Sequence, residues 1–315
     1  MKKPLLAALA LTAGLAFSLP VQAADKLTVI LEWFVNPDHA ALVVAQEKGY
    51  FAEAGLDVDL IAPADPNDAP KLVAAGKADL GVGYQPQLHV QVGEGLPLRR
   101  VATLVGTPLN ILLVKQDGPI KTIKDLKGKR IGYSVPGFED AVLMAMLQHN
   151  GLKAGDVQLI NVNFSLSPSL ISGQVDAVIG SYRNFELTQM ALEGHPGRAF
   201  FPEEEGVPVY DELILLAHKD RVNDPRLRRF VDALEKATLY IANHPDEAWA
   251  LFIAHHKDLD DELNRRAWTD TLPRLSTAPA GLDSARYARF AAFLKERGLI
   301  KTVLPVSDYA VQLPF

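Results

Sequence analysis

Apolar and polar positions follow two rhythms along this chain. Short apolar runs bounded by Gly, Pro or Asp, such as "KLTVILEW", "LDVDLI" and "ADLGVG", have the length and β-branched content of buried strands. Between them, "DHAALVVAQEKGYFAEAG", "NDAPKLVAAGK" and "QPQLHVQVGEG" read as helices. Strands separated by helices predict an α/β fold with parallel strands, because a parallel return needs a connection long enough to hold a helix.

The same order then recurs. "GKRIGYSVPG" is a strand and a Gly/Pro turn, "FEDAVLMAMLQHNG" a helix, "DVQLINV" a strand, "SLSPSLISGQ" a short helix, "VDAVIGSY" a strand and "RNFELTQMALEG" a helix. "GKADLGVGYQP" (76–86) parallels "GQVDAVIGSYRN" (173–184), and "EAGLDVDLI" parallels "HNGLKAGDVQLI". Two lobes built on one Rossmann-like topology are expected. The extended runs Asn110–Lys115 and 212–218 are expected to cross between them as a two-crossing hinge. The remainder, from "DPRLRRFVDALEKATLYIANHPDEAWALFIAHH" onward, is helical and is expected to pack on lobe one. The expected organisation is a leader over 1–23, lobe one with the C-terminal helices over 24–112 and 217–315, and lobe two over 113–216.

Residues 1–23, "MKKPLLAALALTAGLAFSLPVQA", have a Lys2–Lys3 start, an apolar stretch and a small-residue ending. That is the pattern of a secretory signal peptide cut before Ala24. No later run approaches the ~20 apolar residues of a membrane helix. The chain of 315 residues contains no cysteine, so disulfides, thiol nucleophiles and a lipid anchor on cysteine are excluded. Export without disulfides points to a periplasm. Net charge is −6 and no basic block stands out, which argues against a nucleic-acid partner.

In such sheets ligands bind beyond the carboxyl ends of the strands. That rule selects "EWFVNPDH", "GYQPQ", "GYSVPGFED" and "SYRNFE". The candidate ligand residues are Trp33, Asn36, His39, Tyr84, Gln85, Ser134, Tyr182, Asn184 and Glu186. Aromatic loop ends facing one cleft suit a flat, uncharged or cationic ring. Phe34 alternates away from Trp33 and is expected in the core. Glu186, one turn after Tyr182, either faces the ligand or offsets its helix dipole. The "SVPG" turn can offer backbone N–H groups to an anion. Protease, phosphate-loop and dinucleotide signatures are missing, so no catalytic residue, metal ligand or cofactor is assigned. His255–His256 read as surface residues, and "KDLDDEL" as a helix start.

The residues that carry a resemblance are "ILEWFVNPDHAALVVAQEKGYFAEAGLDV", "SYRNFE" and "GVPVYDELILLA". The first resembles the W-x-x-N-x-x-H stretch, followed by A-x-x-K-G-Y-F-x-x-x-G-L, of a family of ABC-transporter substrate-binding proteins. That family includes pyrimidine-binding proteins for thiamin-precursor uptake and the fungal hydroxymethylpyrimidine synthases. The resemblance implies a type II periplasmic binding protein that is not an enzyme. It implies an aminopyrimidine cargo such as formylaminopyrimidine or hydroxymethylpyrimidine, an ABC permease partner at the inner membrane, and a monomer. In that picture Trp33 and Tyr182 or Tyr84 sandwich the ring, while Asn36 and Glu186 read its edge. Another flat heterocycle, a small sulfonate held at "SVPG", or an enzyme of the synthase type are the alternatives. The fungal synthases resemble this fold but carry a cysteine-rich iron-binding motif, and this chain has no cysteine.

Overall fold

The computed structural model describes residues 23–313. The leader expected over 1–23 lies, Ala23 apart, outside the described residues. Four strands come first: β1 (Asp25–Ile30), β2 (Leu56–Ile61), β3 (Leu80–Gly83) and β4 (Leu98–Val105). The chain then leaves for a second sheet made of β5 (Asn110–Lys115), β6 (Arg130–Tyr133), β7 (Gln158–Asn161), β8 (Ala177–Tyr182) and β9 (Gly197–Phe200). It returns as β10 (Leu213–His218). Sheet one has the order β2-β1-β3-β10-β4, and sheet two the order β7-β6-β8-β5-β9. The α/β architecture with two similar lobes is as expected.

Both sheets are mixed rather than purely parallel. β1 pairs parallel with β2 and β3, and β6 with β7 and β8. The fourth position is antiparallel in each case, filled by β10 in sheet one and by β5 in sheet two. These are the two segments expected to span the gap between lobes. Each instead lies wholly inside a sheet, with Ile111, Leu112 and Leu113, and Leu213 to Leu216, fully buried. An unbroken apolar run is stabilised with a strand on either side, not stretched across a cleft. The passages between sheets are therefore residues 106–109 and 201–212.

The repeat has a physical counterpart. Asp79 accepts the backbone N–H of Thr28 (3.0 Å), and Asp176 that of Arg130 (2.9 Å). In each lobe the aspartate before the central strand ties that strand to the backbone of its parallel neighbour. The two passages are joined by Glu212, whose Oε2 accepts the N–H groups of Leu109 (2.5 Å) and Asn110 (3.0 Å). Arg183 braces the same place, donating to the Leu109 and Asn110 carbonyls while paired with Glu203.

The C-terminal part is helical over Pro225–Asn243, Pro245–Phe252, Glu262–Thr271 and Ser284–Glu296. Asp224 caps the first of these and Asp261 the third, so "KDLDDEL" is a helix start. His255 is a surface residue bonded to Glu47. β4 escaped notice in the sequence because Arg99 and Arg100 interrupt it. Arg100 is nonetheless fully buried. Its guanidinium donates to the carbonyls of Pro279, Ala280, Gly281 and Val311 and to Thr103. One side chain thus fastens two C-terminal segments to the sheet.

Arg100→Met keeps the aliphatic stem but takes the guanidinium donors from those carbonyls, of which Pro279 keeps a backbone partner, the Thr103 N–H. Each unsatisfied buried acceptor costs about 1–3 kcal/mol. The thermal midpoint is expected to fall by roughly 5–10 °C, and Arg100→Lys should restore little of it because an ammonium lacks the planar fork. Calorimetric melting of the three proteins checks this.

Candidate functional site

The sheets meet at their carboxyl edges around a narrow cleft with about 360 Å³ of atom-free space, open solvent at its mouth included. Lobe one contributes Glu32, Trp33, Asn36, Asp38 and Tyr84, and lobe two contributes Glu139, Leu166, Gly180, Tyr182 and Phe185. The wall is therefore aromatic and acidic, and no Lys or Arg is among its residues.

The turn after β1 builds the lobe-one side. Asn36 is extended and its side chain accepts the N–H of Asp38 (2.8 Å), while Pro37 opens a short 3₁₀ turn. This turn aims His39 back at Glu32, with Nε2 at 3.0 Å from both carboxylate oxygens. The backbone N–H of Asn36 donates to Nδ1 (3.2 Å), so that nitrogen acts as an acceptor and Nε2 carries the proton. Burial opposes a charge on His39, but the Glu32 carboxylate outweighs it and lifts the imidazole above its ordinary value. His39 thus orients Glu32 from behind the cavity wall.

Glu139 forms the lobe-two side. Its Oε2 accepts the N–H of Ser134 (2.5 Å). Burial pushes it well above the carboxylate range, toward the protonated form. Gly180 makes room for it: with φ at +97°, a Cβ there would lie 2.2 Å from the Glu139 carboxyl. The expected anion nest at "SVPG" is therefore already filled by the protein's own carboxyl group.

Asp38 joins the two lobes. Its Oδ1 accepts the Asn184 amide (2.8 Å) and the Thr271 hydroxyl (2.8 Å), and Asn184 also donates to Thr271 (2.8 Å). Burial raises the Asp38 pKa to about 6, and Oδ2 has no partner.

Of the nine expected residues, Trp33, Asn36, Tyr84 and Tyr182 line the cavity. The other five lie off its wall. His39 backs Glu32. Gln85 accepts the Asp211 N–H (2.8 Å) and approaches His89. Ser134 is engaged by Glu139 and, through its hydroxyl, by the Asn163 carbonyl. Asn184 binds Asp38. Glu186 accepts the Tyr182 N–H (2.7 Å) at the start of its own helix. Tyr84 stacks on Phe138 of the opposite lobe, with centroids 4.4 Å apart, so one of its faces is taken. Phe34 is 53% exposed rather than core. It meets Phe164 of lobe two at 4.6 Å beside the Trp33–Phe164 contact, also 4.6 Å. The strand ends at Ile30, so alternation no longer applies to Phe34. Glu32, Asp38 and Glu139 stood in the selected loops, yet each also reads as an ordinary strand-end or first-turn acid. Burial is what distinguishes them.

The fold and the interlobe cleft define a periplasmic-binding-protein type II architecture. The alkanesulfonate-binding protein SsuA of Xanthomonas axonopodis pv. citri, bound to MOPS, superposes with a TM-score of 0.73 over 92% of this chain and 99% of its own, at 17% identity. By sequence the chain belongs to the NMT1/THI5-like family, whose description matches residues 36–248. A Haemophilus influenzae protein provisionally named for thiamine biosynthesis is 53% identical over 95% of this chain and 96% of its own length. The formylaminopyrimidine-binding protein of Halalkalibacterium halodurans is 34% identical over 80% of this chain and 77% of its own. The 4-amino-5-hydroxymethyl-2-methylpyrimidine phosphate synthase THI13 of Saccharomyces cerevisiae is 29% identical over 78% and 75%.

The buried acids set a pH dependence of stability. Asp38 is raised to about 6 and Glu186 and Glu212 to about 7, all by desolvation. The folded form then takes up protons before the unfolded chain does, so their ionisation costs stability as pH rises through those values. Burial holds His89 down at about 3, which opposes this by one proton as pH falls below its ordinary value. Three acids outweigh one imidazole. The thermal midpoint of the unliganded protein should rise from pH 7.5 to 5, and Glu212→Gln should flatten the slope. A steady fall over that interval would contradict the burial argument. Gly180→Ala should lower the midpoint at every pH, because the added Cβ meets the Glu139 carboxyl and the backbone is left-handed.

Proposed function

We propose that this chain is the periplasmic solute-binding component of an ABC importer, and that its cargo is a 4-aminopyrimidine of the thiamin-precursor class. One observation carries the cargo class: the cavity wall brings carboxyl groups from both lobes together with aromatic rings, and no cation lines it. An anionic ligand would meet like charge in a desolvated space, which costs several kcal/mol on the order of a buried unpaired charge. A flat ring rich in N–H groups meets acceptors instead. Ionised Asp38 accepts from an exocyclic amine, and the protonated form of Glu139 can donate to a ring nitrogen. Trp33 and Tyr182 supply faces for the ring from opposite lobes.

The relationship to a formylaminopyrimidine-binding protein supports this cargo. The same wall argues against a sulfonate, despite the shared fold. It equally argues against an enzyme that must hold a phosphate-bearing product. Export by the N-terminal leader, a permease partner and a monomeric state belong to the same proposal.

Mass spectrometry of small molecules released from the purified protein should identify an aminopyrimidine. Titration calorimetry should then show binding of formylaminopyrimidine or hydroxymethylpyrimidine and none of an alkanesulfonate or inorganic phosphate. Trp33→Ala is expected to weaken the pyrimidine about tenfold, from a stacking contact of roughly 0.5–1.5 kcal/mol plus lost area. Tight sulfonate binding, or turnover of the pyrimidine, would overturn the assignment.

A further inference from the structure

We propose that Asp38 couples cargo recognition to lobe closure: one carboxylate oxygen latches the lobes through Asn184 and Thr271, and the other takes an N–H of the bound ring. This rests on the function proposed above and names the device that links binding to closure.

Three observations converge on Asp38. It is buried and lines the cavity between the lobes. Its Oδ1 is doubly engaged, by Asn184 in the loop after β8 and by Thr271 at the end of the helix Glu262–Thr271, each at 2.8 Å. Its Oδ2 is buried with no hydrogen-bond partner. A desolvated carboxylate with one unpartnered oxygen is held at a cost that either a proton or a ligand donor relieves. Without a ligand donor the proton serves. When an N–H of the exocyclic amine arrives, that proton is released to solvent, and the full negative charge strengthens the bonds from Asn184 and Thr271. A ligand without a donor at that position leaves the proton in place and the latch weak. Recognition and closure thus share one group, and a differential affinity of this kind is what shifts a two-state equilibrium.

The charges around Asp38 agree with such a role. Glu32 and His39 flank it on its own turn. From lobe two it faces Glu186, and from the C-terminal part Arg274. The His39 proton is directed to Glu32. Arg274 donates to Thr107 and the Pro108 carbonyl. Neither side chain therefore satisfies Oδ2.

The test uses the full mature chain and two probes, 4-amino-5-hydroxymethyl-2-methylpyrimidine and its counterpart with a methyl in place of the amino group. Calorimetry at pH 6 in buffers of different ionisation heat reads proton release, and small-angle scattering reads closure. The wild type should release a fraction of a proton on binding the amino compound and none on binding the methyl compound. Asp38→Asn keeps an acceptor for Asn184 but can turn its amide into the cavity. It should abolish the release and weaken the amino compound about tenfold or more, while the methyl compound changes by less than about threefold. Thr271→Val, off the cavity wall, should weaken the amino compound about three- to tenfold and leave a less compact liganded form. The coupling is overturned, with the function intact, if the wild type binds the amino compound without proton release. Equal losses for both probes in Asp38→Asn, or unchanged affinity and compactness in Thr271→Val, overturn it likewise. If the wild type binds neither pyrimidine, the functional assignment fails and the coupling with it.

Discussion

A carboxyl group taken out of water must be given donors or keep its proton, and the cleft is organised around that requirement. Glu32 is met by His39, Glu139 by the Ser134 N–H, Glu186 by the Tyr182 N–H, and Glu212 by the N–H groups of Leu109 and Asn110. Each of these bonds also positions a piece of backbone: a strand end, a helix start or an interlobe passage. The acids therefore hold the architecture of the cavity as well as its charge. Removing one would leave its donor orphaned in the same dry space.

The lobes meet through aromatic faces as much as through polar groups. Tyr84 stacks on Phe138, and Trp33 and Phe34 reach Phe164, each pair made of residues from different lobes. Trp33 also packs beside the apolar cluster of lobe two that includes Val162 and Leu166. Such contacts gain from area burial and are tolerant of small rotations, whereas the Asn184–Asp38–Thr271 triangle requires one geometry. The combination gives a closure with broad attraction and a single polar register. Beside this triangle, Glu212 and Arg183 tie together the two passages between the sheets, 106–109 and 201–212.

A shared fold does not carry a shared cargo. The alkanesulfonate-binding protein has the same overall architecture, but here the turn at Ser134 has its N–H occupied by Glu139. The place taken by Glu139 depends on Gly180, whose missing Cβ and left-handed backbone let the Glu139 side chain lie against β8. The placement of this buried acid is in this sense a backbone property before it is a side-chain property.

Much of the fold was legible in the sequence. The apolar runs and their spacing located β1, β2, β3, β6, β7 and β8, and the repeated "ADLGVG" and "VDAVIG" marked the central strand of each lobe, because local periodicity and turn chemistry are written in adjacent residues. The loops that line the cavity followed from strand polarity, and Trp33, Asn36, Tyr84 and Tyr182 with them. The partners of β5 and β10 were not legible, since an apolar run does not say which sheet will bury it. Nor was β4, whose Arg100 is charged in sequence and satisfied, Thr103 apart, by carbonyls some 180 to 211 residues away. The roles of Glu32, Asp38 and Glu139 were decided by tertiary structure alone. A carboxylate in a first helical turn looks the same whether it faces water or a cavity, and only the approach of the second lobe removes the water that makes the difference.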